Sequence, residues 1–368
     1  MISIVHIADT HLDTPFQGLP AAVAQKRRQS IRNCFAAALE RAGERKVRAV
    51  LLPGDLFDNA QATGESVRLI SDIAAKYPST EFFIAPGNHD HLYGQSPYRA
   101  LVRPSNLHIF ESGEIERLDF EDFTVYGVGC LQENSDRQPL DGFCVEDATR
   151  INIMCLHSQV QGFGGHQMYQ PVLLEQIASS GLDYLALGHV HTYSGMRRAG
   201  NTWYAYPGTL VGRGFDEIGE KGYLSGTVGK GKAELDFIPS PVGRFDVLEI
   251  DITGVGSMMD VLSRVRGRLA GADPELLLKL VLVGNRPSQL LLHTAAVREA
   301  TGLSFVKVVD KTRLAPDYEQ LMKENTLTGL YLRQVTGRLE ADERLRERAL
   351  SLGLAALAGE ELTGVEDQ

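Results

Sequence analysis

No run in the chain approaches the roughly 18 consecutive apolar residues that a membrane-spanning helix needs. Met1 to Asp9 also lack the charged region and cleavage site of a secretory leader. A soluble, cytoplasmic protein with no membrane partner is the expectation. Cysteine is scarce: Cys34, Cys130, Cys144 and Cys155 are widely spaced, and none forms a CxxC pair. Neither a disulfide framework nor a zinc knuckle is indicated, and buried free thiols are expected. Internal repeats and low-complexity tracts are missing too. Basic residues are outnumbered, 37 Lys and Arg against 47 Asp and Glu, for a formal charge of -10. This argues against non-specific coating of the whole surface by nucleic acid, because phosphate contacts need clustered Lys and Arg. A local basic channel stays open, and two bound divalent ions would add about four positive charges that the global count omits.

What is present is a chain of 368 residues, 43% hydrophobic, enough for two domains and a terminal appendage. Its first two-thirds repeat one pattern, a short run of Val, Ile and Leu that stops at Gly, Asp, Asn or His. The runs are Ile4 to Ala8 before Asp9-Thr10-His11, Ala49 to Pro53 before Gly54-Asp55, and Phe82 to Pro86 before Gly87-Asn88-His89-Asp90. Ile151 to Leu156 before His157 and Tyr184 to Leu187 before Gly188-His189-Val190-His191 complete the set. Continuous hydrophobicity marks strands buried on both faces. Helical spacing fills the gaps: Ile31, Phe35 and Leu39; Val67, Ile70 and Ile73; Leu173, Leu174 and Ile177. The fold class expected is α/β, a two-layered β-sandwich flanked by helices over residues 1–240. A small α+β unit follows over 244–315, with strands Phe245 to Ile252, Leu276 to Val283 and Ser304 to Val309 and helices Met258 to Leu269 and Gln289 to Ala300. A helical C-terminal region, 316–368, holds helical patterns at Tyr318 to Val335 and Leu339 to Ala358.

In such sheets ligands gather beyond the carboxyl ends of the strands, where all five polar tips lie. A DxH, a GDxxD, a GNHD, a lone strand-end His and a GHxH each occur often as ordinary turns. Five in order at successive strand ends point to two divalent cations, which clamp the attacking and leaving oxygens of an in-line displacement. A shared carboxylate must bridge them, and Asp55 takes that role. Asp9, His11 and His191 complete one ion, and Asn88, His157 and His189 the other. Alternation on an extended backbone would point both side chains of Asp9/His11, and of His189/His191, the same way. Imidazole with carboxylate and amide oxygen suits manganese, iron or zinc better than calcium. His89, next to a ligand without being one, is the group expected to stabilise or protonate the leaving oxygen. Asp58 and Asp90 are expected behind the ligands, accepting imidazole N–H groups or capping the following turn. His91 and His166 are open between a substrate-facing and a structural role; His6, His108 and His293 read as structural.

At these residues the sequence resembles the calcineurin-like metallophosphoesterase superfamily over about residues 1–330. It is similar, more narrowly, to SbcD-type nuclease subunits of DNA-repair complexes, on Ala8 to Asp13, Gly54 to Asp58, Gly87 to Asp90, Gly188 to His191 and Tyr206 to Thr209. Arg213 to Glu217, Gly219 to Gly222 and Arg244 to Val247 add to that match. His11 to Leu19, HLDTPFQGL, resembles the YhaO-like branch of DNA-repair exonucleases. The resemblance implies two manganese ions on the Asp, His and Asn positions named above and a catalytic role for His89. It implies DNA as substrate, a capping role for the α+β unit, and docking of the C-terminal helices on a coiled-coil ATPase of the SbcC type. A homodimer is among the assemblies it allows. Candidate phosphate contacts are Lys26, Arg27, Arg28 and Arg32 in the first helix, and Arg197, Arg198 and Arg213. Alternatives are a phosphodiesterase for small nucleotides and a non-catalytic scaffold for DNA ends.

Overall fold

In the computed structural model of the protein, which describes residues 1–58, 62–133, 136–163, 169–338 and 343–359, twelve strands build two six-stranded sheets. The elements run β1 (Ile2–His6), α1 (Ala21–Glu44), β2 (Ala49–Leu52), α2 (Gly64–Lys76), β3 (Glu81–Ile84), β4 (Leu107–Ile109), β5 (Glu116–Asp119) and β6 (Phe123–Gly127). Then come β7 (Ile151–His157), α3 (Leu174–Ser179), β8 (Tyr184–Gly188), β9 (Arg197–Ala199), β10 (Thr202–Ala205), β11 (Gly222–Gly229) and β12 (Lys232–Pro239). One sheet has the order β12-β11-β1-β2-β3-β4, the other β5-β6-β7-β8-β10-β9. Strands β1 to β4 are mutually parallel, as are β6, β7, β8 and β10, so each sheet gathers its carboxyl ends on one edge.

Period-two alternation divides each strand between two cores. Val5, Val50, Leu52, Phe82 and Ile84 pack with Ile31, Phe35 and Leu39 of α1 and Val67, Ile70 and Ile73 of α2. Their neighbours Ile4, Ala49, Leu51 and Phe83 turn to the other side and meet Phe123, Val125, Ile153, Cys155, Tyr184 and Ala186 of the second sheet. Tyr126, Met154, Leu156, Leu185 and Leu187 cover that sheet's far face together with Ile177 of α3. The architecture is the two-layered sandwich flanked by helices that the apolar runs imply. Cys34, Cys130 and Cys155 are buried, but Cys144 is exposed. It precedes Val145, which takes the inward position in this extended stretch.

By compactness the chain divides into one unit of Met1–Leu248, Gly271–Lys279 and Gly302–Lys307, and another of Glu249–Ala270, Leu280–Thr301 and Val308–Gln368. The later elements are β13 (Phe245–Asp251), α4 (Met258–Arg268), β14 (Leu277–Val283), β15 (Asn285–Arg286), α5 (Thr294–Thr301), β16 (Phe305–Asp310) and β17 (Arg313–Leu314). Helix α5 starts later than its apolar pattern suggested. The helical pattern from Tyr318 to Val335 is two helices, α6 (Tyr318–Lys323) and α7 (Leu327–Arg338), ahead of α8 (Glu343–Leu357). Glu324 takes an extended conformation after α6. Thr326 then restarts the chain as a helix, its hydroxyl accepting the Gly329 N–H at 3.1 Å. Leu332 and Leu350 are buried, whereas Leu327 and Leu330 are exposed. Among the described residues no helix is long and apolar enough to cross a membrane. His166, Leu339 and Leu362 lie outside the described residues.

Candidate metal centre

The five polar tips meet at one edge of the sandwich, but not on extended backbone. Strand β1 ends at His6 and β8 at Gly188. Beyond them Asp9 (φ 49°), His11 (φ 46°) and His189 (φ 103°), and beyond β2 Asp55 (φ 49°), are in the left-handed region. The same-side alternation expected of Asp9/His11 and His189/His191 is therefore corrected: left-handed turns bring these side chains in. The turns also let one loop pair with the next, Asp9 N–H with Gly54 O at 3.2 Å, His11 N–H with Asp55 O at 2.9 Å and Leu12 N–H with Leu56 O at 2.7 Å. Such backbone costs ~1–3 kcal/mol per residue and persists where the surroundings over-determine it.

Asp55 sits in the middle. Its Oδ1 accepts the His89 backbone N–H at 2.9 Å. Its Oδ2 lies 3.7 Å from His11 Nε2 on one side and 3.4 Å from His157 Nε2 on the other. Gly87 packs so closely that a Cβ there would stand 2.2 Å from Asp55 Oδ1, so only glycine fits. Asp9 accepts the His189 N–H on both oxygens, at 3.0 and 3.1 Å. Ligand atoms of Asp9, His11, Asp55 and His191 all lie within 4.8 Å of one another. On the other side of Asp55, Asn88 Oδ1 is 3.0 Å from His157 Nε2, and the His157 and His189 rings are 5.2 Å apart.

The imidazoles are aimed through their Nδ1 atoms. His11 Nδ1 donates to Asp58 Oδ1 at 3.1 Å, His191 Nδ1 to Glu217 Oε1 at 2.7 Å and His157 Nδ1 to Pro53 O at 3.0 Å. Each donation leaves the Nε2 lone pair directed into the cluster. His11 Nε2 and His191 Nε2 thereby face each other at 3.3 Å. Two lone pairs so close repel, and a shared cation removes the repulsion; the donor set fits a metal. Burial pushes His11 down to about 4 and His189 down to about 3, so both are neutral near pH 7 with lone pairs available. Burial raises Asp9 to about 6, against the pull of His191 and His157. For Asp55 burial is outweighed by His157, His11 and His89, and the carboxyl stays below its usual range.

His89 is exposed at the cluster's rim, its ring edge-on to His11 at 4.9 Å, its Nδ1 3.3 Å from Asp58 O. Asp58 serves His11 and also accepts Arg213 at 3.1 Å. Asp90 differs from the expectation of an imidazole partner. It accepts the backbone N–H groups of Leu56, Phe57 and Gly87 and the Tyr98 hydroxyl, tying two ligand loops together. Its full burial places it among loop amides rather than rings. His91 Nδ1 is 3.1 Å from Asn88 O. His6 bonds Tyr184 and Leu187, His108 pairs with Glu81, and His293 is exposed.

Of the basic candidates, Arg213 points inward to Glu217, Asp58 and His191. Lys26 pairs with Glu275, Arg27 holds the carbonyls of Gly212 and Gly243, Arg28 holds Pro15 O, and Arg32 pairs with Asp13 and Glu65. Arg197 and Arg198 stay exposed on β9, over the Phe163 and Trp203 rings. Two residues escaped the sequence reading: Glu217, which orients His191, and Tyr169, whose ring stacks on His189 at 5.2 Å. Glu217 closes the Arg213 to Glu217 segment of the resemblance and stands four residues after Arg213, but neither signal ties it to His191.

The profile of the Calcineurin-like phosphoesterase family matches residues 2–193, more than half of the chain. The chain belongs to this family. As a calcineurin-like phosphoesterase it is a metal-dependent phosphoesterase, from a family of dinuclear metal enzymes. The uncharacterized metallophosphoesterase YhaO of Bacillus subtilis is 27% identical over 307 residues, covering 79% of this chain and 74% of that protein. The DNA double-strand break repair protein Mre11 of Methanosarcina acetivorans is 25% identical over 304 residues, 78% of this chain and 47% of its own length. Mre11 of Sulfolobus acidocaldarius is 25% identical over 199 residues, 52% and 50%. The chain thus spans about half the length of these two Mre11 proteins. The crystal structure of TT1561 of Thermus thermophilus aligns at a TM-score of 0.41 with 13% identity, over 63% of this chain and 99% of that one.

Proposed function

We propose that this calcineurin-like phosphoesterase is a two-metal nuclease that hydrolyses DNA phosphodiesters in repair, in the cytoplasm. The observation that supports it most is Asp55 Oδ2 between two imidazole Nε2 atoms, with Asp9 and His191 on one flank and Asn88 and His189 on the other. In this reading Asp9, His11, His191 and Asp55 hold one manganese, and Asn88, His157, His189 and the same Asp55 hold the second; iron or zinc would suit the same donors. Two divalent cations there supply a clamp for the attacking and leaving oxygens of a phosphodiester. Asp58, Glu217 and Pro53 O keep the imidazoles in the coordinating tautomer. His89, exposed beside the cluster, gives its proton to the leaving oxygen. Arg197 and Arg198, exposed and without an ion pair among the described residues, would follow the DNA backbone, whereas Arg213 braces the centre.

The similarity to proteins named Mre11 favours DNA, and the 27% identity to YhaO over 307 residues favours a YhaO-like branch. The α+β unit would cap the substrate, and the C-terminal helices, with Leu327 and Leu330 exposed, would dock on a coiled-coil ATPase of the SbcC type or on a second copy of the chain. The test is hydrolysis of end-labelled duplex and single-stranded DNA with manganese, with free and with blocked ends. Cleavage that disappears with a chelator and in Asp55→Asn supports the reading. Hydrolysis of small nucleotide diesters with no attack on either DNA would replace it with the small-nucleotide activity.

A further inference from the structure

We propose that the groove beside the metal centre is a nucleobase subsite, with Phe215 as the surface on which the base next to the scissile phosphate stacks. This rests on the phosphodiester reading above and supplies the part of the substrate that reading leaves unplaced. The groove has a volume of about 450 Å³, within the roughly 300–1,000 Å³ of small-ligand sites. One wall is formed by Asp58, Arg213 and Glu217. These are the side chains that hold His11 and His191 by Nδ1, so an occupant lies one side chain away from the reacting centre. Arg213 pairs with both carboxylates, which leaves the exposed Asp216 as the acidic group on the lining that no ion pair neutralises among the described residues.

The segment 14–19 also lines the groove. There Phe16 is buried at φ 52°, a conformation a bulky residue adopts only under constraint. Phe215 forms part of the lining and is half-buried. It is braced edge-on by Phe245 at 5.1 Å and stacked with Phe305 at 6.4 Å. A pre-oriented ring of this kind accepts any base by its π-face, without sequence readout. Gln17, also on the lining, has an amide with a donor and an acceptor for the base edge. Lys307, exposed on the lining and without an ion pair among the described residues, is placed for the flanking phosphate.

The test is calorimetric titration of thymidine 5′-monophosphate and of 2-deoxyribose 5-phosphate into the manganese-loaded full chain. The base should make binding about tenfold tighter in the unaltered protein, in line with loss of one base–aromatic stack. Phe215→Ala should bring the two ligands to about equal affinity, and Phe215→Tyr should keep the difference. Gly18→Trp provides an independent arm: Gly18 lines the groove and a Cβ there meets nothing within 4 Å, so an indole introduced at this position should compete with the base for the groove, and discrimination should again vanish. Equal binding of the two ligands by the unaltered chain overturns the subsite, as does discrimination that survives both Phe215→Ala and Gly18→Trp. If the base adds affinity but no diester is cleaved, the subsite stands and the phosphodiesterase reading falls.

Discussion

Glu217 accepts the Nδ1–H of His191 at 2.7 Å on one oxygen and the backbone N–H of Arg213 at 2.8 Å on the other. One carboxylate therefore fixes both the ring that faces His11 and the loop that follows the last histidine pair. His191 and Arg213 hold the Glu217 carboxyl well below its usual range despite burial, so it remains an ionised acceptor. Glu217→Gln should weaken manganese binding about 10- to 100-fold, the usual cost of losing a carboxylate behind a ligating imidazole. Calorimetric metal titration reads this directly, and undiminished affinity would remove Glu217 from the centre.

Asp55→Asn acts at the middle of the cluster. Without the shared charge, two cations would repel across a short gap. The expected result is loss of the second ion, read as metal stoichiometry. Two ions bound at unchanged affinity would rule out the bridging role.

His89→Ala should leave that stoichiometry at two while lowering kcat by about two to four orders of magnitude, the range for lost general acid–base help. Full activity on both DNA and an activated aryl phosphodiester would show that the leaving oxygen needs no proton from this ring.

His6 gives a pH signature away from the ligands. It is fully buried between Tyr184 and Leu187, and burial lowers it from 6.5 to about 3. Between those values the unfolded chain takes up a proton that the folded chain refuses. The folded state is therefore favoured fully above 6.5 and loses that advantage as the pH falls toward 3. Going from pH 7 to pH 5, this residue should account for about 2 kcal/mol of lost stability. His6→Gln should flatten the urea-denaturation difference between the two pH values by that amount; an unchanged difference would place the acid sensitivity elsewhere.

The sheets were legible because strands buried on both faces must be continuously apolar, and the runs ending at Asp9, Asp55, Asn88, His157 and His189 mark where the apolar stretch gives way to polar residues. The ligand loops' conformation was not legible. Nothing in the letters Asp9, His11 or Asp55 announces a positive φ, which is imposed by pairing between neighbouring loops. Asp90 misled for a related reason: a carboxylate near histidines suggests an imidazole partner, yet the backbone amides of Leu56, Phe57 and Gly87 were closer. Glu217 is one acidic residue among many until the chain folds it against His191. The break between α6 and α7 turned on Thr326, whose capping role is invisible while the apolar spacing continues across it.

Asp9, Asp55 and Asn88 follow strands of one sheet, and His157, His189 and His191 end or follow strands of the other. Ions held by both sets would be cross-links between two layers that meet through an apolar interface. Closing a contact between segments so far apart in sequence withdraws conformational freedom from any partly opened chain, as a covalent bridge would. The sheets could then separate at this edge only after releasing the cations. Metal supply would set how long the folded protein lasts as well as how fast it works, and chelation would loosen the sandwich first at the edge where the chemistry sits.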